Sequence, residues 1–299
     1  MNITKRTRAI LQALLVTLIW SSSWILIKNT LSDIPPLTFA GLRYSLATIF
    51  LLPGLIKHKD GIRSIKPNTW MTLFLLGIFF YALTQGGQFL TLNHLETTTL
   101  SLLLNFSSIF IALLGIIFLN ERPSRMQWFG MMVFLAGVFL YFSPNPLASG
   151  NVVGFLLAGM TVLANAIAGM LGRKVNLEKS IPPSVVTGIS MGIGALILMT
   201  AGLLLEEFPV LSLQNWMTIV VLASVNTAFA FTLWNRSLQV LTAVESGIIN
   251  NAMLVQIALL SWIFLDAQLT WLDWAALLIA TAGMVLVSIQ PTRSKKKVD

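Results

Sequence analysis

Residues 92–141 and 238–287 are one segment written twice. At an offset of 146 positions Asn105 meets Asn251, Trp128 meets Trp274 and Gly137 meets Gly283. The run Ile111-Ala112-Leu113-Leu114 falls on Ile257-Ala258-Leu259-Leu260, and Ile117-Phe118-Leu119 on Ile263-Phe264-Leu265. Without a gap, 14 of the 49 positions from Leu92 to Leu140 are identical. Apolar composition raises chance identity, but paired Asn, Trp and Gly are rarer coincidences. A second echo sets Ile34-Pro35-Pro36 against Ile181-Pro182-Pro183 at an offset of 147. The chain is therefore read as a duplicated unit, with halves 1–146 and 147–292 and a basic tail, 293–299, expected in the cytoplasm.

The duplicated unit belongs in a membrane. Charged residues make up 10% of the chain and hydrophobic ones 56%, whereas a soluble domain carries about 25% charged residues. The apolar residues come in runs of about 20, enough to cross ~30 Å of hydrocarbon as helix. Those runs lie near 9–31, 35–56, 68–92, 97–119, 126–143, 151–171, 183–205, 213–235, 243–265 and 270–290. In lipid each must satisfy its own backbone, so each is expected to be a helix. The alternating ten-residue segments of a barrel are missing. The first run follows a basic start and resembles a signal peptide, but it is too long and no small-residue cleavage site follows, so it reads as a retained span. Cysteine is absent and there are two histidines, His58 and His94. Disulfides and Cys- or His-based metal sites drop out, and no cofactor is expected.

Charge gives the orientation. Of 19 Lys and Arg, 17 fall before the first run, after the last, or in every second loop between; the exceptions are Lys28 and Arg43. By the positive-inside bias that face is cytoplasmic, as are both termini, in a multi-pass protein of the cell membrane. The opposite loops carry Asp33, Glu96, Glu206, Glu207 and Asp266. The net charge of +8 is thus a topology signal, and nucleic acid is not expected as a partner. Five spans per half is an odd number, so the second copy enters from the opposite side. The expected fold is all-α and integral to the membrane: ten transmembrane helices as two inverted five-helix repeats. Such repeats supply two exchangeable halves for alternating access to a midplane site, as in secondary transporters.

The residues Leu18-Ile19-Trp20-Ser21-Ser22-Ser23-Trp24 with Lys28, and Pro36-Leu37-Thr38-Phe39-Ala40-Gly41-Leu42-Arg43-Tyr44, resemble the EamA-like family of the drug/metabolite transporter superfamily. So do Phe118-Leu119-Asn120-Glu121-Arg122-Pro123, similar to that family's L-x-E-R signature, and Ala282-Gly283-Met284, similar to its A-G span. The resemblance covers nearly the whole chain. It implies a ten-helix carrier that exports amino acids or other small metabolites across a cytoplasmic membrane. The chain departs from the family pattern at Ser108, where proline is usual, and at Ala267, beside Asp266, where an acid often matches Glu121.

Several residues are candidates for a site. Arg43 lies about two turns into the second run, where a charge costs at least about 2.5–3.5 kcal/mol. It is either a cavity cation that grips a substrate carboxylate in two places or a structural anchor for backbone carbonyls. Trp20 and Trp24, four apart, share a helix face and can form a cavity wall or simple packing. Tyr81, Gln85 and Gln88 make a polar stripe at i, i+4, i+7. Asn105, Asn165, Asn226, Asn235, Asn250 and Asn251 are polar residues in apolar runs, and such residues face the bundle interior. Each can serve as an interhelical hydrogen bond; as a set they outline an uncharged cavity, with Asn105 and Asn251 near the pseudo-axis. Glu245 is a candidate for ion coupling, yet Thr242-Ala243-Val244-Glu245 also fits a capping box. Glu121, at a helix end, reads as structural.

The expected partners are a small-molecule substrate and membrane lipids, in a monomer. No nucleotide-binding P-loop is present, so coupling would be ionic. A membrane enzyme on lipid-linked substrates would need a cluster of nucleophiles, acids or metal ligands that the sequence does not offer. A channel would be expected to carry filter loops, and the inverted repeat argues against it.

Overall fold

The computed structural model describes residues 4–28, 34–143, 151–264, 267–289 and 293–294. Long helices dominate: α1 (Lys5–Lys28), α2 (Pro36–Lys57), α3 (Pro67–Leu92), α4 (Thr97–Asn105 continued by Ser107–Leu119), α5 (Arg125–Phe142), α6 (Val152–Leu177), α7 (Pro183–Leu205), α8 (Leu213–Ser237), α9 (Ala243–Asn250 continued by Ala252–Phe264) and α10 (Trp271–Ile289). Nine of them, α2 to α10, are long and apolar enough among the described residues to cross a membrane. At 1.5 Å per residue, the 22 residues of α2 span ~33 Å. α1 is a continuous 24-residue helix packed along α8 and α9. Prolines enter helices at Pro36, Pro67 and Pro183, first-turn positions whose amide has no partner in any case. Most of the tail read from the sequence, and Asp33 and Asp266, lie outside the described residues.

Repeat-related helices pack on each other: α2 on α7, α5 on α10 and α4 on α9. The shared Gly landmark marks the second of these contacts. A Cβ on Gly137 would strike the Ala280 and Ala276 backbone, and one on Gly283 the Phe134 and Gly130 backbone. Each glycine thus faces backbone of the other helix, which lets α5 and α10 cross backbone to backbone.

Four helices are irregular at mid-length, and the irregularities are themselves repeated. α3 widens over Gly77–Gly86 and α8 over Leu222–Phe229 into π-helical turns. Hydroxyls stitch these turns five residues back, Thr84 Oγ1 to the Phe79 carbonyl at 2.6 Å and Thr227 Oγ1 to the Leu222 carbonyl at 2.8 Å. α4 breaks at Phe106 and α9 at Asn251. Such interruptions in membrane helices survive where neighbours satisfy the freed backbone groups.

Helix ends are tied between the two copies. At the face where the basic loops emerge, Glu121, just past α4, accepts the Ala243 amide at the start of α9 at 2.7 Å. At the opposite face Glu206, just past α7, accepts the Leu37 and Thr38 amides at the start of α2 at 2.9 and 2.7 Å. A carboxylate on a helix N-terminus satisfies free amides and meets the positive end of the dipole. Residues Glu121–Arg122 (β1) also pair antiparallel with Arg293–Ser294 (β2).

One expectation fails here. Arg173 was counted among basic loop residues, with the sixth run ending at 171. Instead α6 continues to Leu177 and Arg173 is 5% exposed. The helix can run on because its late polar groups find partners inside the bundle: Arg173 on Glu121 and the Leu238 carbonyl, Asn176 on Asn235.

Candidate functional site

A cavity lies between α3, α4, α6, α8 and α9, so both copies wall it. Leu76, Phe80, Ile111, Trp234 and Leu238 supply its apolar lining and Asn165, Asn235, Ser246 and Asn250 its polar lining. No lining side chain is charged. The room for water centres is about 30 Å3, a few waters' worth, so a metabolite needs the helices to part. Gly172, Asn235, Leu238, Ser246 and Gly247 are buried, as are Leu76, Ile111, Ala168 and Trp234, whereas Phe80, Asn165, Gly169 and Asn250 are half-buried.

Of the residues singled out in the sequence, Asn165, Asn235 and Asn250 reach this cavity. Asn165 is steadied by Nδ2 donating to Ser107 Oγ at 3.1 Å. Asn235 is held by Thr187 and Asn176 at 3.0 and 2.6 Å. Asn250 carries no such tether among the hydrogen bonds of the described residues. Trp234, Leu238 and Ser246 were not foreseen. They sit at or near helix ends that read as boundaries in sequence, and only the packing of α6, α8 and α9 turns them inward.

A second group forms between α1, α2, α3 and α8. Trp20 donates its indole N–H to the Asn226 carbonyl at 3.0 Å, and Asn226 donates its amide to the Ile19 carbonyl. Trp20 stacks on Phe231 and Trp234 with ring centres 4.8 and 5.3 Å apart. Tyr44, Phe80 and Tyr81 close around the same Phe231. Trp234 and Phe80 belong to both groups, so this aromatic knot backs the cavity wall. Arg43 lies at its edge, buried, with Nε donating to Thr227 Oγ1 at 2.7 Å and the guanidinium 5.8 Å from the Tyr44 ring centre. Its two Nη groups have no hydrogen-bond partner among the described residues. Trp24 lies on α1, with its side chain outside the described residues.

On α3 Tyr81 is fully buried, while Gln85 and Gln88 are half-buried; Tyr81 and Gln85 lie within the π-helical turn and Gln88 just beyond it.

Asn105 and Asn251 do meet. Asn251 donates Nδ2 to the Asn105 carbonyl at 3.1 Å, across exactly one repeat length. The bond is made in one direction, because Asn105 turns its own Nδ2 to the Ser101 carbonyl of α4 at 2.7 Å. It joins the two broken helices at their breaks.

Charge gathers at the basic face around the start of α9. Arg173 Nε meets Glu121 Oε1 at 2.9 Å, with side-chain exposures of 6% and 0%, and Arg173 Nη1 donates to the Leu238 carbonyl at 2.7 Å. Glu245 forms the capping box with Thr242 and pairs with Arg6 at 2.7 Å. Both Glu245 oxygens are thus engaged, Oε1 by Arg6 and Oε2 by the Thr242 amide. No group of three or more His, Cys, Asp or Glu that could hold a metal exists among the described residues.

The EamA-like transporter family matches this sequence twice, over residues 7–143 and 152–289. The chain belongs to that family. It is a multi-pass membrane transporter built from two repeats. The transporter is similar to an uncharacterized transporter of Archaeoglobus fulgidus, 26% identical over 75% of this chain and 78% of that protein. It is also similar to the uncharacterized inner membrane transporter YedA of Escherichia coli, 23% identical over 91% and 88%. One solved crystal structure, of a protein described in no further terms, matches with a TM-score of 0.79 at 18% identity over 94% of this chain and 96% of that one. At that identity the likeness is one of fold.

Proposed function

We propose that this transporter exports a small metabolite, an amino acid or similar zwitterion, by alternating access, with the basic face and both termini in the cytoplasm. The observation that carries the reading is the cavity itself. It lies between helices of both copies and is lined by amides, a hydroxyl, aliphatic side chains and aromatic rings without a charge. Amides satisfy an ammonium or carboxylate group without fixing its sign, and the Phe80 and Trp234 rings receive an apolar side chain or a cation. A multiply charged substrate would find no counter-charge there. Arg43, about two turns into α2 and outside the cavity lining, has two Nη groups without a partner among the described residues and is the residue assigned to the substrate carboxylate. A charge in this position is otherwise hard to sustain. Basic loops on one face support the orientation, and the carrier needs no cofactor or second copy.

Other uncharged metabolites, such as nucleobases or sugar derivatives, fit the same lining and form the second arm of the test. Purified protein in proteoliposomes is offered radiolabelled amino acids and nucleobases. Saturable amino-acid flux is expected, reduced at least tenfold by Asn250→Ala or Arg43→Ala (about 1.4 kcal/mol of lost recognition). Nucleobase flux without amino-acid flux overturns the substrate class, and flux that never saturates overturns the carrier. Glu245 stays the coupling candidate to be tested: Glu245→Gln should abolish uphill transport and leave exchange, and unchanged uphill transport makes Glu245 a capping residue alone.

A further inference from the structure

We propose that Glu121 and Arg173 are the latch of the basic-face gate, closed in this structure and broken when the cavity opens to that side. Four helix ends converge on the pair. Glu121 follows α4 in the first copy and takes the first amide of α9 in the second. Arg173 stands on α6 and holds both Glu121 and the carbonyl that ends α8. α4, α6, α8 and α9 are four of the five helices that wall the cavity. Opening toward the basic face must part these ends, and the pair joins them, beside the Asn176–Asn235 bond between α6 and α8.

Its chemistry suits a reversible closure. A buried ion pair gains strong attraction in dry surroundings, but much of that gain is offset by the loss of hydration of both charges. When the ends separate and water enters, each charge recovers its hydration. The closed state is favoured without being fixed. Glu121 maps to Ala267, beside Asp266, at an offset of 146, and Arg173 maps to Ile27 or Leu26, beside Lys28, at offsets of 146 or 147.

The inference rests on the alternating-access reading but not on the identity of the substrate, so its test uses none. The chain has no cysteine, and Ser246, which is buried and lines the cavity, is replaced in a Ser246→Cys reporter. An impermeant maleimide is added to the basic face of sealed vesicles. Slow labelling is expected in the reporter alone. Glu121→Gln or Arg173→Gln, neutral and close in size, should each speed it about tenfold, and the double change no more than the larger single one, since partners in one contact are non-additive. Unchanged labelling in folded variants overturns the latch.

Where either variant fails to remain folded, a second measurement decides. A Cβ on Gly115 would lie 3.3 Å from the Ala243 Cβ, close to the ~3.5–4.5 Å of a disulfide. Gly115→Cys with Ala243→Cys therefore ties α4 to α9 at the latch. Once oxidised, hydrogen exchange over residues 243–250 should slow about tenfold, because local opening sets that rate, and reduction should restore it. Exchange that is indifferent to the tie means the ends never part, and the latch is refuted. A failed substrate panel leaves both results standing.

Discussion

The two ends of this molecule use one device in two strengths. At each face a glutamate at the end of one helix caps the start of the repeat-related helix of the other copy: Glu121 joins α4 to α9, and Glu206 joins α7 to α2. Glu206 is half-buried and bonded to amides and the Thr38 hydroxyl. Glu121 is fully buried and adds Arg173. A second carboxylate–arginine pair, Glu245 with Arg6, stands beside it on the same helix start. Among the described residues one end carries the Glu206 cap, whereas the other adds opposite charges in a dry joint. Symmetry of the backbone therefore does not mean symmetry of strength, and a carrier whose halves are interchangeable in shape can still prefer one closed face.

Breaking the comparison begins with Glu121→Ala. Removing one member of a buried pair leaves an uncompensated charge and costs about 3–5 kcal/mol, so thermal unfolding in detergent should show a large loss. Gly137→Ala and Gly283→Ala come next. Each pushes a methyl into facing backbone, an overpacking that costs about 1–3 kcal/mol, and the two should cost alike because the α5–α10 crossing is symmetric. Unequal losses would show that the crossing has drifted from its axis. Glu206→Ala should cost less, about 0.5–2 kcal/mol, the range for a lost N-cap. If it equals Glu121→Ala in the same melts, the contrast between the faces is lost. The smallest effect separates the two asparagines: Asn251→Ala breaks a bond between helices, on average worth ~0.6 kcal/mol in membranes. Asn105→Ala loses a bond within α4 and should destabilise less.

The frame was legible in the sequence because duplication, apolar run length and loop charge are one-dimensional signals. The ten runs, the capping box at Thr242 and the pairing of Asn105 with Asn251 as repeat-related polar residues are written in the sequence, while the bond between those two asparagines is not. The joint at the basic face could not. Glu121 and Arg173 are 52 positions apart, and an arginine two residues past the end of an apolar run reads as solvated until a neighbour is seen to bury it. The cavity lining was half legible. Asn165, Asn235 and Asn250 stand out by type, but Ser246, Trp234 and Leu238 depend on how the helices turn. On α3 the wide turn over Gly77–Gly86 could not be read from spacing. Gly137 and Gly283 were visible as landmarks, while their meaning came from the crossing they permit.

Two separate five-helix chains, paired head to tail, would be bound by identity: whatever Glu121 did on one face, its copy would do on the other. Such a dimer would latch both doors with equal force and have no inherent bias between them. Joining the copies in one polypeptide removes that obligation. Ala267 can stand where a second glutamate would, so one polypeptide can set its two faces apart even where the backbone repeats.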